Sequence, residues 1–285
     1  MADDNRVRRL SRRLRDLVEP IAANVYFAEE AQEAYAELGL NYPQGYFSSR
    51  GACLGQVPGE VIAAAFGVFY PPMVTQSVTD AWERTDAPTM LAARQRGATA
   101  ALGRILGREP DGAKRATELL RRMADACTNA GRPLYSGLSS LGSPGDLIGD
   151  LWRAADRVRE HRGDGHVCAW VSHGLSAIEV LLMTEAWWGL ELNTYMRTRG
   201  WPADDVQTTL ASLIDRGLLE DGKLTDSGTE LRAAVEATTD LGESVVVDAL
   251  SDEEFDELFA LLEPWATAIV DSGGYPVSPA DLTRR

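Results

Sequence analysis

All three histidines of the chain, His161, His166 and His173, fall in one stretch, Asp156 to Leu182. The same stretch carries Arg159, Glu160, Arg162, Asp164, Cys168 and Trp170. An imidazole titrates near neutral pH, and a carboxylate beside it fixes its tautomer, so this composition suits acid–base chemistry. His166 and His173 are the candidate bases, with Asp164 or Glu160 as the carboxylate. Arg50 or Arg159 would hold an oxyanion or a carboxylate. The competing reading is a salt-bridged helix junction in which Arg159, Arg162, Glu160 and Asp164 satisfy one another. His161, Asp164 and His166 are also metal-ligating types, but they match no recognised metal signature, and no metal is expected.

These side chains need elements to position them. Gly163-Asp164-Gly165 reads as a tight turn between two helices, because glycine takes positive φ without Cβ strain. His166 would open the second helix, and His173, seven residues on, would lie about two turns along the same face. Arg50 is the one charge in a small, apolar segment that begins Tyr46-Phe47, and a guanidinium so placed pairs with a carboxylate or binds an anionic group. Arg50, His166 and His173 are expected to meet one cavity. Tyr46, Phe47, Arg159, Trp170 and Trp187 complete the candidate ligand contacts. Cys53 and Cys168 read as inert thiols rather than nucleophiles. There is no phosphate loop, dinucleotide fingerprint or GxSxG, so no cofactor is expected.

The chain has 285 residues and a formal net charge of −15. Its 45% hydrophobic content is that of a globular protein with a sizeable core. The negative charge disfavours broad contact with nucleic acid or an anionic membrane. Three scattered cysteines without a CxxC fit a reducing compartment. No secretory leader is legible, and the most apolar run, Val61 to Val74, is too short to span a bilayer. The expectation is a cytoplasmic protein.

Helical periodicity dominates. Residues 5–18 carry the stripe Val7, Leu10, Leu14, Leu17. Their arginines read as a solvated face, the alternative being a phosphate-binding arm. Further helices are expected over 21–38, 60–70, 87–106, 115–128, 147–162 and 253–272, with loops at 39–45 and 129–146. From 190 the order is short helix, helix from Trp201-Pro202, two apolar strands around Asp221-Gly222, and helix from Thr225. Asp-Gly between short apolar runs is a strong hairpin signal. That order is a winged helix, at 190–240. The first half echoes the second: Asp111-Gly112 stands where Asp221-Gly222 stands, and Arg50 where His173 stands. The fold class is therefore mainly α, as tandem helical units with winged-helix subdomains, β-structure being limited to short wings. The halves are 1–130 and 131–285.

A winged helix reads DNA with Arg, Lys, Asn or Gln on its recognition helix. Here that helix carries Asp204, Asp205 and Asp215. The equivalent first-half helix is better suited, with Arg94, Arg96 and Arg104, so DNA remains a candidate partner only through that half.

The segments RVREHRGDGHVCAWVSHGLSAIEVLLM and TRGWPADDVQTTLASLIDRGLLEDGKLTDSGTELRAAVEATTD resemble an actinobacterial helix-turn-helix family labelled SalK-type. The segment YFSSRGACLGQVPGEVIAAAFGVFYPPMV and Gly131-Arg-Pro-Leu134 share the resemblance, which covers most of the chain. It implies a mostly helical fold with winged-helix units and brings no activity. The reading is a protein that binds a small, largely apolar molecule between its halves as a ligand-responsive transcriptional regulator. The alternative is a cofactor-independent enzyme using His/Arg acid–base chemistry on a small metabolite.

Overall fold

The computed structural model describes residues 4–276. Helix α1 (Asp4–Ala23) buries the expected stripe and leaves Arg8, Arg9, Arg12 and Arg13 outside. It runs through Pro20, beyond the expected end at 18, because proline's fixed φ is helical and only one backbone bond is lost. Helices α2 (Glu29–Ala36), α3 (Tyr42–Gly51), α4 (Gly59–Phe66), α5 (Pro71–Trp82), α6 (Ala87–Leu106) and α7 (Ala113–Ala126) follow. Helix α3 starts inside the expected loop. Asn41 accepts from the Gln44 N–H, and the Gln44 side chain accepts from the Asn41 N–H, a reciprocal cap that starts the helix. Helix α4 stops at Phe66, short of the expected 70, because Gly67 caps it at positive φ, and Pro71-Pro72 open α5 instead, since proline is at home in a first turn. A short α8 (Pro133–Ser139) lies within the other expected loop.

Helix α9 (Leu147–Ser172) corrects the expected break: it passes through Gly163-Asp164-Gly165 without interruption. The glycine is there for close approach. A Cβ on Gly165 would stand 1.9 Å from Nη1 of Arg132, which crosses the helix at that point. Arg132 donates to the carbonyls of His161 and Gly242. Asp164 is buried beneath α8 and accepts from the Tyr135 N–H at 3.0 Å.

Helices α10 (Ala177–Trp187) and α11 (Ala203–Asp215), strands β1 (Leu219–Glu220) and β2 (Lys223–Leu224), and α12 (Asp226–Leu241) form the winged helix. The strands pair Leu219 with Leu224 and Glu220 with Lys223. Asp221 and Gly222 both have positive φ, 48° and 74°, as a two-residue hairpin turn requires. The expected short helix before Gly200 is a 3-10 turn, Met196–Arg199. The buried carboxylate of Glu185 fixes this linker by accepting from the N–H groups of Asn193 and Met196, each at 2.7 Å. Among the described residues this hairpin is the one sheet, so the first half turns from α6 to α7 without a wing. Helices α13 (Ser244–Asp248) and α14 (Asp252–Asp271) close the chain.

Three apolar clusters result. The largest joins α1, α2, α6, α7, the first half of α9, α13 and α14. The second joins the end of α9 to the winged helix. The third gathers α3 to α5 and α8 around Phe47, Phe66 and Phe69. Helix α9 touches the first two, and the site lies along it.

Candidate functional site

A cavity of about 340 Å³ opens where the three clusters meet. That is the size of a small-molecule site. Helix α9 supplies Arg159, Arg162, His166 and Trp170, α3 supplies Tyr46 and Arg50, and α1 supplies Arg15 and Glu19. Arg232, Glu236 and Thr239 come from α12, and Tyr195 and Arg199 from the linker between α10 and α11. Phe66, Phe69 and Trp188 complete the aromatic wall.

Most of the arginines are held by carboxylates. Arg50 makes a two-pronged pair with Glu160, at 2.8 and 2.7 Å, and lies over the Phe66 ring. Arg159 bridges Glu160 and Glu19. Arg162 reaches Glu236 and Asp240, and Arg232 reaches Glu236. Burial works to raise the carboxyl pKa of Glu160 and Glu236, but the guanidiniums outweigh it and hold both below the usual range. Of the salt-bridged junction anticipated from the sequence, only Arg159 and Glu160 pair with each other, at one wall of the cavity; Arg162 turns instead to Glu236 and Asp240 of α12. Asp164 stands outside the junction.

His166 is different. Burial pushes its pKa down to about 4, with Arg232, Arg162 and Arg15 adding to the shift against the pull of Glu236. At neutral pH the ring is uncharged. Its Nδ1 lies 3.0 Å from Oγ1 of Thr239, and that hydroxyl donates to the Val235 carbonyl at 2.8 Å. The single hydroxyl hydrogen being used there, Thr239 accepts from His166, which assigns the proton to Nδ1. The Nε2 lone pair has no hydrogen-bond partner among the described residues.

The structure gathers Tyr46, Arg50, Arg159, His166 and Trp170 at the cavity, and it leaves the other candidates outside. His173 caps α9 beyond the cavity, with Nε2 2.9 Å from Oγ1 of Thr238. It shares the α12-facing side of α9 with His166, as the seven-residue spacing requires, but α9 ends there and the ring meets the outer end of that contact. Asp164 faces α8 instead, and burial raises its carboxyl to about 7. Phe47 packs into the third core against Phe69, and Trp187 lies beneath Arg232, one layer behind the wall, where Trp188 stands instead. Burial raises the thiols of Cys53 and Cys127 to about 12, far from nucleophilic use. Arg15, Glu19, Tyr195, Arg199, Arg232 and Glu236 were not anticipated. Only the Arg232/Glu236 spacing of four on α12 carried any signal.

The DNA candidates fare unevenly. Arg94 is buried, with Nη1 2.7 Å from Asp156, and it donates to the Tyr26 hydroxyl, so it cannot reach a phosphate. Arg96 and Arg104 are exposed, yet each is paired, with Glu37 and Glu30. The outward face of α11 presents Asp204, Asp205 and Asp215, and Arg216 at its end pairs with Glu179.

Two helices joined by a linker, followed by a hairpin and a third helix, are helix-turn-helix geometry, and a helix-turn-helix family model matches residues 11–276. The chain belongs to that helix-turn-helix family. The match extends well beyond the winged helix, so α1, α3 and α9, which carry the cavity's charged wall, are part of what this family shares. No curated protein and no solved structure matches this helix-turn-helix protein. No single described helix is long and apolar enough to cross a membrane.

Proposed function

We propose that this helix-turn-helix protein binds a small molecule in the cavity between its N-terminal helices and its winged helix. One observation carries the reading: a space of about 340 Å³, walled by aromatic rings and arginines, sits beside the linker that joins α10 to α11. Ligand occupancy there bears directly on the winged helix, as a ligand-responsive regulator needs. The segments that resemble the SalK-type branch support placing the protein in it. They supply Arg50, Arg159, His166 and Trp170, and also Arg132, which crosses α9 at Gly165. Native mass spectrometry of the purified protein tests the reading: a retained mass that is lost on denaturation supports it. For the regulatory role, a gel-shift at low salt with genomic fragments should show DNA binding that changes when the ligand is added. The acidic face of α11 weighs against a major-groove role for that helix, so loss of a shift on Arg96→Ala or Arg104→Ala would point to the first half.

A second reading rests on His166. A neutral imidazole with its proton fixed on Nδ1 presents a free Nε2 to a substrate proton, and a bound anion beside it would strengthen it as a general base. Under this reading the bound molecule is consumed, and His166→Gln abolishes turnover while leaving binding in place. Under the regulatory reading the molecule is recovered unchanged after long incubation.

A further inference from the structure

We infer that the ligand of this cavity is an aromatic carboxylate, its acid group bound by Arg199 and its ring held between the aromatic walls; this deepens the proposed small-molecule site and rests on it. The argument begins with charge. The cavity surface is lined by six arginines, Arg15, Arg50, Arg159, Arg162, Arg199 and Arg232, against three carboxylates, Glu19, Glu236 and Glu243. His166 adds no charge. A local positive excess in a chain of net charge −15 is against the overall trend. It marks a place where negative charge is to be received.

Arg199 carries that excess. Alone among the cavity arginines it has no carboxylate within 4.0 Å among the described residues. Its one side-chain hydrogen bond goes to Thr198 Oγ1 at 2.9 Å. Its Nε is sealed from solvent without a partner. The nearby carboxylates face other arginines: Glu19 pairs with Arg159, Glu236 with Arg162 and Arg232, and Glu243 lies 3.7 Å from Arg132. The guanidinium lies over two aromatic rings, 4.1 Å from the centroid of Tyr195 and 4.7 Å from that of Phe69. Ring faces stabilise a cation and fix its plane, but they leave its in-plane N–H groups unsatisfied. A planar, orientated guanidinium with open donors matches a carboxylate. The cavity beside it is walled by Phe66, Phe69, Trp170, Trp188 and Tyr195, which suits a flat apolar body. His166 Nε2 offers that body one hydrogen-bond acceptor.

The position of Arg199 adds a consequence. It ends the 3-10 turn of the α10–α11 linker, and its own carbonyl accepts from the Tyr70 N–H at 2.9 Å. A ligand on its side chain therefore ties the linker to the N-terminal half from both sides of one residue.

Isothermal titration of the full chain with 2-naphthoate, 2-naphthamide and 2-naphthylmethylammonium tests this. We expect 2-naphthoate to bind at least tenfold more tightly than the amide, and the ammonium not to bind. Arg199→Gln should remove the preference for the acid, lowering its affinity tenfold or more while changing that of the amide less than threefold. Arg199→Lys, which keeps the charge and loses the planar fork, should fall between them, and it carries the test if the glutamine variant does not fold. Equal binding of acid and amide overturns the carboxylate assignment and leaves the cavity as a ligand site. Undiminished acid binding by both variants overturns the role of Arg199. Binding of none of the three probes, with no retained mass in the native spectrum, overturns the ligand site itself.

Discussion

Two titratable groups on one helix, Asp164 buried and His166 half-buried, act in opposite directions on stability. Asp164 is raised to about 7 by burial, so between roughly pH 4 and pH 7 the folded state keeps a proton that the unfolded chain has lost. Its contribution is full at low pH and is lost as pH rises towards 7. His166 is lowered to about 4, so below about pH 6.5 the unfolded chain takes up a proton that the folded state refuses. Its contribution is full above that value and is lost as pH falls towards 4. The two slopes oppose each other across the same window. Asp164→Asn keeps an acceptor for the Tyr135 N–H and removes the ionisation. It should raise the melting temperature at pH 8 and change it little at pH 4, leaving a protein whose stability climbs steeply from pH 4 to 6.5. A melting temperature lowered equally at both pH values would show that Asp164 is ionised throughout. A third residue-scale outcome concerns Arg94. Arg94→Met leaves Asp156 buried without its main partner, and breaking a buried pair in this way costs about 3–5 kcal/mol, measurable by urea unfolding.

At the scale of the element, the two glycines in α9 give contrasting expectations. A Cβ on Gly163 meets nothing nearer than Glu160 Oε2 at 3.4 Å, and alanine is the better helix former by about 1 kcal/mol. Gly163→Ala should therefore hold or raise the melting temperature. Gly165→Ala drives Arg132 from its place across the helix, undoing its bonds to the His161 and Gly242 carbonyls, and should lower it. If Gly165→Ala is as stable as the parent, the close approach is not what glycine serves there. This pair also shows what was legible in the sequence. Helix α6, the Asp221-Gly222 hairpin and the acidic opening of α11 were readable, because each is set by local chemistry: periodicity, turn residues and capping. Gly163-Asp164-Gly165 misled for the converse reason. A glycine needed for positive φ and a glycine needed to admit a side chain from thirty residues away look alike in a sequence. The start of α3 was local as well, but its signal was the pair Asn41 and Gln44, not periodicity.

For the whole molecule, the candidate site was half legible. Arg50, His166, Arg159 and Trp170 stand out by type and meet at the cavity. Arg199, Arg232 and Glu236 are ordinary helix and loop charges until tertiary packing brings three segments together, and no spacing announces that. His173 was expected on the helix face of His166 and in the cavity of Arg50; it keeps the face but caps the end of α9, outside the cavity. Six of the chain's arginines line one cavity, so its net charge of −15 bears the more heavily on the outer surface.

Helix α9 is 26 residues long, about 39 Å at 1.5 Å per residue. Trp152 near its start is sealed in the largest core, and Trp170 near its end is sealed in the core of the winged helix. The two cores therefore share one continuous run of backbone hydrogen bonds, with no linker at which they could part. Far-ultraviolet circular dichroism and tryptophan fluorescence should report one coincident urea transition, and separate midpoints would contradict this. In native-state hydrogen exchange the amides at both ends of α9 should open with a single free energy, so the winged helix melts with the rest of the protein rather than as a detachable module.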